Sequence, residues 1–102
     1  MEITVTHSEA NVHIVLKGEI DERGAEALKQ RFGEIKLSDN MNIVFDFGGV
    51  RHIGSAGLGK LLLIYKTVAA HGGSVRIERI PAPIYDLLQQ LKLNTILTLV
   101  RL

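Results

Sequence analysis

The sequence predicts an α/β domain: a mixed, mostly parallel sheet with helices packed on it, in the order β-β-α-β-α-β-α-β. Short β-branched runs carry the strand half of this reading, at Ile3–Val5, Val12–Leu16, Asn42–Phe47 and Ser74–Ile80. Apolar residues at helical spacing carry the other half, over 22–35, 56–70 and 84–91. Strands that alternate with helices imply right-handed crossovers and a sheet covered by helices.

Each element has a local reason. Ser8 to Asn11 supplies turn residues between the first two strands, which predicts a hairpin. Gly18-Glu19-Ile20-Asp21 ends the second strand, and Asp21 is a good N-cap for a helix over Glu22 to Ile35. Ala25, Leu28, Phe32 and Ile35 give that helix one apolar face. After a turn at Ser38-Asp39-Asn40, the near-continuous apolar character of Asn42–Phe47 predicts a central strand buried on both faces, broken by Gly48-Gly49. The second helix is expected from Ala56 to Ala70, stopped by Gly72-Gly73. The alternation in Ser74–Ile80 reads as a half-buried strand. Pro81-Ala82-Pro83 opens a third helix over Ile84–Leu91, with Ile84, Leu87, Leu88 and Leu91 on one side. Thr95 to Leu102 is expected as the final strand.

Composition limits what such a domain does. The 102 residues fit one domain, 1–102, with no linker, repeat or low-complexity segment. Hydrophobic residues make up 46% and charged residues 23%, which places the chain among globular proteins. Twelve basic residues against 11 acidic ones give a net charge of +1, so nothing electrostatic favours nucleic acid or an anionic membrane. The absence of cysteine excludes disulfides, thiolate metal sites and thiol catalysis. The amino terminus lacks the pattern of a secretory signal, and the longest apolar run, Leu61–Ile64, is far too short to span a bilayer. A cytoplasmic protein without direct membrane insertion is expected.

The stretch Val50-Arg51-His52-Ile53-Gly54-Ser55-Ala56-Gly57-Leu58-Gly59 is the most informative. It places Ser55 where a strand exit becomes the first turn of a helix. Serine is a preferred N-cap, so the hydroxyl is either a helix cap or a chemically addressable group. First-turn N–H groups lack internal partners and sit at the positive end of the helix dipole, so an anion on Ser55 would meet the N–H groups of Gly57 and Leu58. Gly57 and Gly59 keep the turn free of side chains, at a cost of about 1 kcal/mol each relative to alanine, which suggests close approach of a partner. Catalysis fits less well. His52 is near in sequence, but no orienting carboxylate is evident, and Ile53 stands where a nucleophile elbow has glycine. The P-loop pattern is absent. His7, His13, His52 and His71 lack metal-ligand spacing. Asp21 and Asp46 are candidates to converge at the strand ends and shape the loop beside Ser55.

Asp46-Phe47-Gly48-Gly49-Val50, followed by Ile53-Gly54-Ser55-Ala56-Gly57-Leu58-Gly59-Lys60-Leu61, resembles the signature of STAS domains, the anti-sigma factor antagonist family. Gly18-Glu19-Ile20-Asp21 looks like the family's second motif, and Gly72-Gly73 and the Ile84–Leu88 helix also fit. The resemblance covers essentially the whole chain. It implies a non-enzymatic switch that binds an anti-sigma factor, itself a serine kinase, and so frees a sigma factor. Ser55 falls on the family's phosphoacceptor, with Asp21, Gly54, Ala56, Gly57, Leu58 and Gly59 as partner-binding residues; a phosphatase restores binding. The ATP belongs to the kinase, so no cofactor is implied. The chain departs from the family pattern at Gly54, usually aspartate, and at Ala56, often a hydroxyl residue. STAS-like domains also serve as constitutive partners of lipid transporters or signalling scaffolds, which is the alternative expectation.

Overall fold

The computed structural model describes residues 1–102. The elements are β1 (Glu2–Ser8), β2 (Asn11–Ile20), α1 (Glu22–Gly33), β3 (Asn42–Ile53), α2 (Ser55–Ala70), β4 (Ser74–Ile80), α3 (Ala82–Gln90), a 3-10 turn (Leu93–Thr95) and β5 (Thr98–Arg101). Their order is the predicted one. β1 and β2 form the expected antiparallel hairpin, with Ser8 opposite Asn11. β2 to β5 run parallel, and the spatial order is β1-β2-β3-β4-β5.

This order decides which face is covered. Every crossover from β2 onward steps the same way across the sheet, and right-handed crossovers that step one way place their helices on one face. The expectation that β3 is buried on both faces is therefore wrong. Ile43, Phe45 and Phe47 are buried, whereas Val44, Asp46 and Gly48, which alternate with them, are only half-buried. β2 and β4 repeat the alternation: Val12, Ile14, Leu16, Val75 and Ile77 point inward, while His13, Lys17 and Arg76 are exposed. The open face carries His13, Asp46, Arg76 and Glu78 beside Val15 and Val44, and two ion pairs, Arg79–Asp46 and Arg76–Glu78, are made there.

The inward residues merge with Leu28 of α1, Leu61, Ile64 and Val68 of α2, and Ile84 and Leu88 of α3 in one core of 21 buried residues. Phe45 and Phe47 meet edge to face, 6.3 Å between centroids. Burial of each such side chain contributes about 1.5–3 kcal/mol. No helix is long and apolar enough to cross a membrane.

Several boundaries differ from the expected ones, each for a local reason. Gly48-Gly49 does not break β3; the strand continues to Ile53. A Cβ at Gly48 would lie 2.7 Å from the Arg79 guanidinium, and one at Gly49 would lie 2.8 Å from Cγ of Lys17. These glycines make room for neighbouring cationic side chains within the strand. α1 stops at Gly33, before Ile35, because glycine is a poor helix residue. α3 starts at Ala82, with Pro83 in the first turn where no N–H donor is needed. It ends at Gln90, so Leu91 lies past the helix and is 48% exposed, not on the buried side. Lys92 then turns the chain in the left-handed region, and β5 starts at Thr98, not Thr95. The predicted stop after α2 holds: Gly72 (φ +76°) and Gly73 return N–H bonds to the Ala69 and Val68 carbonyls at 2.9 and 3.0 Å.

Candidate functional site

Two strand-to-helix junctions meet at the carboxyl end of the sheet, where ligands of open parallel sheets commonly bind. Ile20 pairs with Ile53 at the ends of β2 and β3. One residue on, the Gly54 N–H donates to the Ile20 carbonyl at 3.1 Å. This bond sets Asp21, which opens α1, beside Ser55, which opens α2.

Gly54, not Ser55, is the N-cap of α2. Its carbonyl accepts the Leu58 N–H at 3.0 Å, closing the first helical turn. Ser55 occupies the first helical position, is exposed, and its hydroxyl has no hydrogen-bond partner. Of the two possibilities open at the sequence level, the cap is excluded by this geometry. The expected pair of anion donors also changes. The Leu58 N–H is consumed by Gly54, which leaves Ser55, Ala56 and Gly57 as the first-turn donors. No acidic residue lies in the first turn, so the positive end of the dipole is uncompensated.

The residues around Ser55 divide into a buried and an open set. Gly57 is buried: a Cβ there would lie 2.6 Å from Ile20 Cγ2, 2.8 Å from the Ile20 carbonyl oxygen and 2.9 Å from Ile53 Cγ1. It lets α2 rest on the ends of β2 and β3. Gly59 is exposed, with nothing within 4 Å of where its Cβ would be. Ala56 and Leu58 are half-buried, and Leu58 packs against the core. Gly54 has φ −100°, which any residue adopts, and its Cβ would come no closer than 3.7 Å, to Nε2 of His52. Ser55, Gly59, Leu63 and Lys66, all exposed, follow at helical spacing along the outer face of α2.

Asp21 caps α1 as predicted, its Oδ1 accepting the Gly24 N–H at 2.8 Å. That hydrogen bond holds its carboxyl below its ordinary pKa. Asp21 also lines an open cleft of about 690 Å³ together with Lys17, Glu19, Arg23 and Arg51. Asp46 does not join Asp21. Its Oδ1 accepts the Gly48 N–H at 2.8 Å and its Oδ2 accepts from Arg79 Nη1 at 3.2 Å, on the open face of the sheet. Arg79 was not singled out from sequence. It reaches Asp46 from a left-handed backbone (φ 55°), which no residue pattern announces. His52 is exposed and makes no hydrogen bond to Ser55. No nucleophile, base and orienting acid are assembled, and no three His, Asp or Glu side chains converge.

Residues 3–101 match the family model described as "Mlab, STAS domain". The chain belongs to the STAS domain family. Among solved structures, this STAS domain is similar to tm1081 from Thermotoga maritima, described as a "putative anti-sigma factor antagonist". The TM-score is 0.84 at 19% identity, over 98% of this chain and 86% of that one. It is also similar to the anti-sigma factor antagonist SpoIIAA in its unphosphorylated form, with a TM-score of 0.67 at 18% identity, over 86% of this chain and 82% of that one. At these identities the likeness establishes the shared fold of the STAS domain. No curated protein matches the sequence significantly.

Proposed function

We propose that this STAS domain is an anti-sigma factor antagonist whose binding surface is the Ser55 end of α2, controlled by phosphorylation of Ser55. The observation that carries the reading is the free, exposed hydroxyl at the first helical position, with Gly54 serving as the cap in its place. The resemblance of the serine motif to the antagonist family and the likeness to tm1081 and SpoIIAA support the same reading. In this scheme an anti-sigma factor that is also a serine kinase docks on Ser55 and Gly59, flanked by Asp21, Gly54, Ala56 and Leu58, with Gly57 packed beneath. Its capture frees a sigma factor in the cytoplasm. A phosphoryl group adds about −1.5 to −2 charges to that surface and disrupts docking by repulsion and desolvation. The unpaired N–H groups of Ser55, Ala56 and Gly57 then face the phosphate. A serine phosphatase reverses the change.

Incubation with the kinase-type anti-sigma factor and ATP tests this proposal. One phosphate is expected on the wild-type chain and none on Ser55→Ala; phosphate elsewhere, or none on wild type, rejects it. A second reading is favoured by Gly54 and Ala56 in the serine motif and by the Mlab description of the matching family. In it the domain is a constitutive partner of a lipid transporter or signalling scaffold. Partner binding that survives Ser55→Asp unchanged distinguishes that case.

A further inference from the structure

We infer that the groove between α1 and α2 is a second docking site, one that takes an acidic amphipathic helix of a partner protein. The groove has a volume of about 290 Å³. Phe32 of α1 and Leu63 and Ile64 of α2 form its apolar part. Leu63 is 49% exposed, a large apolar side chain left in water near the middle of a helix. α2 is apolar around most of its circumference, with Leu58 followed after Gly59-Lys60 by the run Leu61-Leu62-Leu63-Ile64-Tyr65. A helix of this kind calls for more cover than one sheet face provides.

Charge selects the occupant. Lys29 from α1 and Lys60 from α2 stand on the two sides of the groove, and neither has an ion-pair partner. No carboxylate lines the groove, and α2 contains no Asp or Glu. An apolar floor between two unpaired cations complements a helix with an apolar stripe flanked by carboxylates. A second copy of this chain is disfavoured, because a two-fold contact through the groove would set lysines against lysines. The apolar part of the site is set apart from the Ser55 end, since Leu63 lies eight residues further along α2, about 12 Å by helical rise, while Lys60 at its near edge follows Gly59 directly.

Titration of the isotope-labelled full chain with a synthetic helix tests the assignment by NMR. The probe is a roughly 14-residue peptide with leucines on one face and glutamates beside them, run against its glutamine counterpart. The glutamate peptide is expected to shift amides of residues 29–33 and 60–67. The glutamine peptide, or the Lys29→Glu/Lys60→Glu chain, is expected to bind roughly tenfold more weakly, since attractive charge contacts are lost or reversed. Leu63→Gln, at an exposed position, keeps the melting temperature and also weakens binding. Several outcomes overturn the inference: no shifts, shifts confined to the Ser55 end or the open sheet face, or equal binding of the two peptides. So do perturbation by decanoate in place of the peptide, and groove shifts that depend on protein concentration alone.

Discussion

Two glycines two residues apart on α2, Gly57 and Gly59, respond oppositely to the same added methyl. In Gly57→Ala the new Cβ falls 2.6–2.9 Å from Ile20 Cγ2, the Ile20 carbonyl oxygen and Ile53 Cγ1. Ile20 and Ile53 are buried, and the Ile20 carbonyl already holds the Gly54 N–H, so the obstruction cannot retreat without loosening the junction that positions Ser55. Overpacking of this kind costs about 1–3 kcal/mol, and the gain in helix propensity, about 1 kcal/mol, offsets part of it. A net loss of up to about 2 kcal/mol is expected. In Gly59→Ala the methyl meets nothing, and only the propensity gain of about 0.5–1 kcal/mol remains. For a domain of this size each kcal/mol moves the melting temperature by roughly 4–8 °C. Thermal and urea unfolding followed by circular dichroism should therefore place Gly57→Ala below wild type and Gly59→Ala above it. Equal shifts, or a destabilised Gly59→Ala, refute the packing account. Under the proposed function Gly59→Ala carries a second signature: it is more stable yet binds its partner less well, because the methyl stands on the surface that docks.

Other substitutions probe the same junction. Ser55→Ala removes no hydrogen bond, so unfolding should change by less than about 0.5 kcal/mol; a loss near 1 kcal/mol or more would reveal a capping hydroxyl. Gly54→Asp has room for its side chain and supplies the missing cap, so a gain of a few tenths of a kcal/mol is expected in urea unfolding, and a net loss would contradict the open geometry at Gly54. Asp21 has a lowered pKa in the folded chain, so its contribution to stability is present above the ordinary carboxylate value near about 4 and is lost as pH falls through the lowered value. Asp21→Asn keeps an N-cap acceptor without that titration; melting curves of the two proteins should diverge above that range and converge below it, and an unchanging difference would deny the shift. Leu61→Ala, at a position 1% exposed in the core, should cost about 2–5 kcal/mol by denaturant unfolding; a change under about 1 kcal/mol would mean the core collapses around it.

The order of elements was legible because strand and helix periodicities differ and each helix carries its own stop or start: Asp21, Gly72-Gly73 and the Pro81–Pro83 segment. The burial of β3 was not. An apolar run at Asn42–Phe47 looks alike whether one face or both are covered, and the spatial order of the strands decides which. Gly48-Gly49 misled for a related reason. Glycine marks either a break or a close approach, and the approaching groups, Arg79 and Lys17, are distant in sequence. Ser55 was found through its position after a strand and before a helix. Its precise helical position rests on one hydrogen bond, from Leu58 to Gly54, that no residue pattern specifies. The open groove between α1 and α2 was likewise hidden, since Leu63 reads as one more core residue in an apolar run.

The proposed switch is tested most plainly by the affinity of this STAS domain for the anti-sigma factor assigned to it above, with Ser55 free and with Ser55 phosphorylated, measured by calorimetry on the full chain. Phosphorylation is expected to weaken binding at least about tenfold, or roughly 1.4 kcal/mol, while the fold and melting temperature are retained. Equal affinity of the two forms would contradict the proposed switch.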